Sequence, residues 1–224
     1  MNNKYTQSVR AFRVARGFSQ AFIAEKLGIS RSSYIGIEQG KRELTMGEFE
    51  KLSSILGVSF EELGGGESPN YEKYKQMILA FLRGGDKIPK TKLAKLVYLA
   101  DAGWFYYHLH SMSGVQYRKI QYGPVADPYF RVIDELYENG QIGINQTKEG
   151  AMLISQTRAG SKKDLSEMKR EELELIKNIE KKWKGKKTKE IVEFTHNQLP
   201  YLCADDNDII SLGLITQEDP HEYY

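Results

Sequence analysis

Cysteine is almost missing from this chain of 224 residues: Cys203 stands alone. An intramolecular disulfide and a cysteine-based zinc site are thereby excluded, which suits a reducing cytosol. Bulk charge is missing too. Lys and Arg number 32 against 30 Asp and Glu, a formal charge of +2, so nucleic acid can be held only by a local patch. No run approaches the roughly 18 apolar residues that a membrane helix needs. The opening MNNKYTQSVRAF lacks an apolar core of signal-peptide length. The expectation is a soluble, cytoplasmic protein with no membrane partner.

Signatures of catalysis are scarce as well. The chain has no phosphate-binding glycine loop, no HExxH and no GxSxG elbow. His108 and His110 lie two apart on an expected helix, where such positions face different sides, so they are not expected to share a metal ion. His196, near Asp205, Asp206 and Asp208, has no second histidine at ligand spacing. Cys203 has no nucleophile signature and reads as a small buried residue. The expectation is no catalytic residue, no metal site, no cofactor, and a binding protein rather than an enzyme.

What is present is an ordinary globular mixture, 40% hydrophobic and 28% charged, long enough for one large domain or two small ones. Composition breaks at Gly64-Gly65-Gly66-Glu67-Ser68-Pro69, which cannot propagate a helix cheaply and reads as a connector. The expected organisation is a domain over 1–66, a linker at about 64–70 and a second domain over 71–224.

The first domain carries five short helix patterns. Val9, Phe12 and Val14–Ala15 give helix one its apolar face, ending at Gly17. Ser19 caps a second helix, Gln20–Leu27, with Phe22, Ile23, Ala24 and Leu27 at helical spacing. Gly28 closes it, and Ser30 caps a third helix with Ile35 and Ile37 inward. Thr45 and Glu48 form a capping box for the fourth. Ser59 and Glu62 repeat that signal for the fifth. Two helices of about eight to ten residues joined by Gly28-Ile29-Ser30 match a helix-turn-helix. The stretch SQAFIAEKLGISRSSYIGIEQGKREL resembles the XRE/Cro/C1 family of DNA-binding domains: it has Ser-Gln at the start of helix two, a small Ala24, and the Ile37-Glu38-Gln39-Gly40 ending.

In the helix-turn-helix docking mode the first turn of the second helix faces base edges in the major groove. Arg31, Ser32 and Ser33 occupy that turn, and an arginine suits bidentate contact with guanine. Gln20 is placed to hold a phosphate, and Lys41 and Arg42 to anchor others. Tyr34 either stacks on the backbone of the DNA or covers the core. Arg10, Arg13 and Arg16 read as solubilising. Residues 1–66 hold nine Lys and Arg against seven Asp and Glu, a weak balance for one monomer on double-stranded operator DNA, so a homodimer on a two-fold site is expected.

The second domain reads as a helix over Tyr71–Leu82, a long central helix after Pro89, and a third helix over Ala126–Tyr137 with Asp127 as cap and Pro128 in its first turn. Ile142–Asn145 and Ala151–Ser155 alternate as a small β-hairpin. A charged helix over Met168–Lys184 and short helices over Lys186–Asn197 and Asp206–Ser211 follow. The fold class is mainly α: a five-helix domain, then a larger, mostly helical domain with one small β-hairpin.

Three blocks of this half resemble the Panacea, or SocA-like, antitoxin domain. They are KLAKLVYLAD over 92–101, QYGPV over 121–125, and Thr195-His196 with Pro200-Tyr201. The resemblance covers about 72–212. It implies the antitoxin of a type II toxin–antitoxin pair, which binds and neutralises a cognate protein toxin, with the helix-turn-helix repressing the shared operon. The alternative is a phage-type or ligand-responsive repressor whose second domain senses an effector or dimerises. Exposed aromatics beside arginine typify interface centres, which makes Tyr117, Arg118 and Tyr122 the candidate toxin contacts.

Overall fold

The computed structural model describes residues 4–58, 69–219 and 223–224. The chain divides into two compact units, 1–69 and 70–224.

The first unit contains α1 (Lys4–Ala15), α2 (Gln20–Leu27), α3 (Arg31–Glu38) and α4 (Met46–Leu56). Short side chains set their starts. Ser19 Oγ accepts the Phe22 N–H at 3.0 Å, and Ser30 Oγ accepts the Ser33 N–H at 3.1 Å. Thr45 Oγ1 accepts from Glu48 N at 3.2 Å while the Glu48 carboxylate accepts from Thr45 N at 3.0 Å, the reciprocal pair of a capping box. Gly28 takes the left-handed turn, φ 74°, between α2 and α3. Val9, Phe12, Ile23, Ala24, Leu27, Tyr34, Ile37, Leu52, Leu56 and Val58 form the core. Two details differ from the sequence pattern. Val14 is exposed, and on α3 the inward positions are Tyr34 and Ile37, three apart, while Ile35 is only half-buried. The expected fifth helix and the linker at 59–68 lie outside the described residues.

The second unit is built on α5 (Tyr71–Leu82) and α6 (Lys90–His108). From Leu93 to Trp104 every residue of α6 is buried, as befits a helix covered on all sides. A three-stranded antiparallel sheet has the order β1 (Ile88–Pro89), β5 (Met152–Gln156), β4 (Ile142–Gln146). The β4–β5 pair is the hairpin read from the sequence. A second hairpin, β2 (Tyr117–Ile120) with β3 (Gly123–Ala126), was not expected; Tyr117 faces Ala126 and Ile120 faces Gly123. Helix α7 (Tyr129–Glu138) consequently starts three residues late, with Pro128 at its N-cap, because residues 123–126 are strand. Asp127 pairs with Arg118 at 3.0 Å.

Beyond the sheet come α8 (Arg158–Ser161), α9 (Arg170–Trp183), α10 (Thr188–His196), α11 (Leu199–Leu202) and a 3-10 turn over Leu212–Gln217. The helix expected at Asp206–Ser211 is absent. Asn207 adopts φ 67°, and the segment instead lies along the free edge of β2: Lys119 N donates to Asp208 O at 2.9 Å and Ile210 N to Tyr117 O at 2.8 Å. Unpaired strand-edge groups at β2 outcompete a short helix of low propensity. Cys203 is exposed, not buried. Among the described residues no helix is long and apolar enough to cross a membrane.

Candidate functional site

Two surfaces carry the residues singled out above. On the first, α3 presents Arg31 and Ser32 exposed in its opening turn, with no acidic residue in that turn. Ser30 Oγ lies 2.9 Å from both the Ser32 and Ser33 hydroxyls, so the three serines form one hydrogen-bonded group at the helix N-terminus. Lys41 is exposed as well. Arg42 is half-buried and donates to Glu48 at 2.7 Å, so its charge is partly matched within the unit.

Gln20 is engaged internally. Its Nε2 donates to Glu38 Oε2 at 2.9 Å, beside Arg13, whose Nε and Nη2 donate to the same carboxylate at 2.5 and 3.2 Å. Arg13 Nη1 also donates to Phe18 O at 2.9 Å. Arg13 is therefore a tie between α1, α3 and the α1–α2 turn, which corrects its reading as solubilising. Burial pushes the Glu38 carboxyl up, but the bonds from Arg13 and Gln20 outweigh it and hold the group below the usual glutamate range. Tyr34 has no exposed surface. The structure removes it from the DNA-contact set, because its ring fills the helix-turn-helix core; burial beside Glu38 raises its phenol.

The second surface is the β2–β3 hairpin, which is bolted to α6 at two points. At one, the buried Asp101 carboxylate accepts from Tyr117 OH at 2.7 Å, Ser113 Oγ at 2.5 Å, Ser113 N at 2.8 Å and Ser111 Oγ at 2.8 Å. At the other, the buried Lys95 Nζ donates to Pro124 O at 2.8 Å. Desolvation lowers the Lys95 amine to about 7 and raises the Asp101 carboxyl. Gly123, at φ 92°, makes the second bolt feasible: a Cβ there would lie 2.8 Å from Lys95 Cε and 3.1 Å from the His196 ring.

Elements α10 and α11 complete the platform. His196 stacks on Tyr201 with ring centres 4.3 Å apart, and Tyr201 OH donates to Ile120 O at 3.0 Å. Lys119 Nζ lies 4.8 Å from the Tyr201 ring centre and donates to Ala204 O at 2.9 Å. Burial, then the neighbouring Lys95 and Lys119, lower the His196 imidazole. The three sequence blocks at 92–101, 121–125 and 195–201 thus meet in space. Their side chains hold a rigid hairpin whose two-residue tip, Gln121–Tyr122, is exposed.

The structure separates the three candidate toxin contacts. Tyr122 is 61% exposed at the tip. Arg118 is partly exposed but committed to Asp127 and to Asn207 O at 2.5 Å. Tyr117 is buried, its hydroxyl held by Asp101, so it is corrected from contact to support. Lys95 and Asp101 were the residues the sequence reading left unassigned. The available signal was two charged residues inside the apolar stripe of α6.

Residues 9–63 match the family model of a helix-turn-helix, and residues 93–200 match that of the SocA-like antitoxin, Panacea domain. The SPbeta prophage-derived HTH-type transcriptional regulator YonR of Bacillus subtilis (strain 168) is 35% identical over 68 residues, 30% of this chain and 63% of that protein. The cryptic phage CTXphi transcriptional repressor RstR of Vibrio cholerae is 24% identical over 89 residues, 40% of this chain and 80% of that protein. The chain thus spans less than two thirds of the first of these relatives. No solved structure matches it.

Proposed function

We propose that this chain, which joins a helix-turn-helix segment to a SocA-like Panacea segment, is the antitoxin of a type II toxin–antitoxin pair. Its second unit binds and neutralises a cognate protein toxin, and its first unit binds double-stranded operator DNA as a homodimer and represses the shared operon. The observation that carries the reading is the presence of both family matches, 9–63 and 93–200, in one chain. The roles of the two relatives, transcriptional regulator and transcriptional repressor, support the repression half. The platform supports the neutralisation half, since a buried scaffold under an exposed aromatic tip suits a protein contact better than a solvent-filled pocket does. On this reading the protein acts by binding, without a catalytic step, in the cytoplasm.

Co-expression tests it directly. The adjacent gene alone should arrest growth, and this chain should restore it while forming a stable complex with the product. An adjacent gene that is harmless alone would sink the antitoxin reading. It would favour a second one, supported by the phage origin of both relatives: a phage-type or ligand-responsive repressor whose second unit is a sensor or dimerisation module.

A further inference from the structure

Tyr223 and Tyr224 fill a cleft of the second unit, formed by α6, α9 and the α10–α11 junction. Tyr223 is only 6% exposed. Its ring stacks on Tyr106 at 4.4 Å and meets Tyr107 edge-on at 5.4 Å. The Tyr223 and Tyr107 hydroxyls lie 2.9 Å apart, and Gln198 Nε2 donates to Tyr223 O at 3.2 Å.

Tyr224 is held through both ring and backbone: Lys182 Nζ lies 5.1 Å from its ring centre and donates to its carbonyl oxygen. Gly103 of α6 forms the floor. A Cβ there would already lie 3.4 Å from the Tyr224 ring, 3.5 Å from the Tyr223 ring and 3.6 Å from Leu175, so a longer side chain would take the space of the tyrosines. The same junction holds the segment further upstream, where Leu199 N donates to Glu218 at 2.5 Å. Charge agrees with this seating. The segment carries Glu218, Asp219 and Glu222, and the second half of α9 carries Lys177, Lys181 and Lys182. Stacked rings, a cation over a ring and hydrogen bonds to main-chain carbonyls are the means by which a folded unit captures a peptide.

We propose that this cleft is a docking site for a paired-tyrosine segment, and that the segment of a second copy of this chain takes it in exchange for the chain's own. Every copy carries both cleft and segment, so a second copy presents the one segment already seen to fit. Exchange of an identical element between copies loses no contact. Within one chain the tether holds the segment near its cleft at an effective concentration of about a millimolar, so exchange is favoured where copies are brought together. Two chains on one two-fold operator are in that situation. This setting rests on the homodimer proposed above, whereas docking is measured without DNA or toxin, so that either can fail alone.

The test uses full-length chains and, as probe, a fluorescent peptide covering residues 216–224. Tyr223→Ala with Tyr224→Ala empties the cleft without shortening the chain. That variant should bind the peptide saturably and at least tenfold more tightly than the parent, whose own segment competes. The peptide with both tyrosines replaced by alanine should not bind, and adding Tyr106→Ala to the emptied variant should weaken binding at least tenfold. For exchange between copies, the emptied variant on a support should retain the Tyr106→Ala chain, which has lost the stacking face of its own cleft, and excess peptide should release it. Melting curves show whether the unit still folds; Tyr223→Ala alone is the milder variant with the same expectation. If neither variant melts cooperatively, the segment is part of the core and the proposal falls. No binding to a folded, emptied variant, equal binding by the parent, or retention that is absent or survives excess peptide overturns it as well.

Discussion

Lys95 and Asp101 put two ionisable groups on one fully covered stretch of helix, neither with exposed surface, and each has a different way of tolerating it. Asp101 is surrounded by four donors, which replace much of the water it loses. Lys95 has one carbonyl partner, and desolvation lowers its amine from 10.5 to about 7. Because the folded value is below the unfolded one, the unfolded chain binds the extra proton between about pH 7 and 10. Stability therefore rises with pH across that window, by at most about 1.4 kcal/mol per unit from this group, and is flat below it. In Lys95→Met that rise should vanish. Urea midpoints of the two proteins at several values between pH 7 and 9.5, below the range where the buried tyrosines ionise, measure it; parallel curves would contradict the assignment.

Glu38 shows the opposite sign. Its carboxyl is held low by Arg13 and Gln20, so its contribution is complete above the ordinary glutamate value and is lost as pH falls through the depressed one. Glu38→Ala leaves the Arg13 guanidinium, itself 11% exposed, without its partner. We expect a loss of about 2–3 kcal/mol near neutral pH, somewhat under the range for a fully buried pair, read as a lower urea midpoint, and a smaller difference from the parent below pH 4. Equal stability of the two at pH 7 would show the tie between α1 and α3 to be idle.

At the scale of elements, the β2–β3 hairpin and α3 make contrasting demands. Gly123→Ala places a Cβ in a left-handed position and 2.8 Å from Lys95 Cε. Backbone strain and overlap together should cost about 2–4 kcal/mol, seen as a drop in thermal midpoint, with toxin binding weakened because the tip is no longer held. On α3, Arg31→Ala should leave the midpoint unchanged and weaken operator binding by about 1–3 kcal/mol, tenfold to a hundredfold or more, whereas Tyr34→Ala should destabilise the unit outright. Fluorescence anisotropy on labelled operator beside a melting curve separates the two; an Arg31 variant with full affinity removes that residue from the reading surface. The same elements show what the sequence could convey. Ser19, Ser30 and Thr45–Glu48 were readable because a cap is settled within three residues. Tyr34 against Ile35 was not, because a one-position difference in which side of α3 turns inward depends on where α1 and α2 lie. Tyr117 looked like a surface aromatic because its fate is decided by Asp101, sixteen residues away. The helix expected at 206–211 lost to a strand edge some ninety residues earlier, and no local pattern reports such a pairing. Helical spacing likewise does not extend to His110, because the left-handed Leu109, φ 56°, ends α6 at His108.

For the whole molecule, the proposed reading raises the question of how a chain of nearly balanced charge would hold DNA strongly enough to repress. The first 66 residues carry an excess of two positive charges, and counterion release from so few phosphate contacts gives a monomer little affinity at physiological salt. In the proposed homodimer, two copies on a two-fold operator would double the contacts, so any event that changes dimerisation would change occupancy steeply. In the reading proposed here, toxin bound to the second unit is such an event. If it alters operator affinity by a factor, operator must alter toxin affinity by the same factor, since both belong to one closed cycle. We expect a coupling within the usual range of about 5–150-fold. Measured from both directions, operator affinity with and without saturating toxin and toxin affinity with and without operator should give one number. Tyr122→Ala, at an exposed tip outside the first unit, should reduce toxin affinity while leaving operator affinity in the absence of toxin intact. A factor of one in both directions would mean that neutralisation and repression merely share a chain; unequal factors would mean that the species on DNA and the species binding toxin differ in oligomeric state.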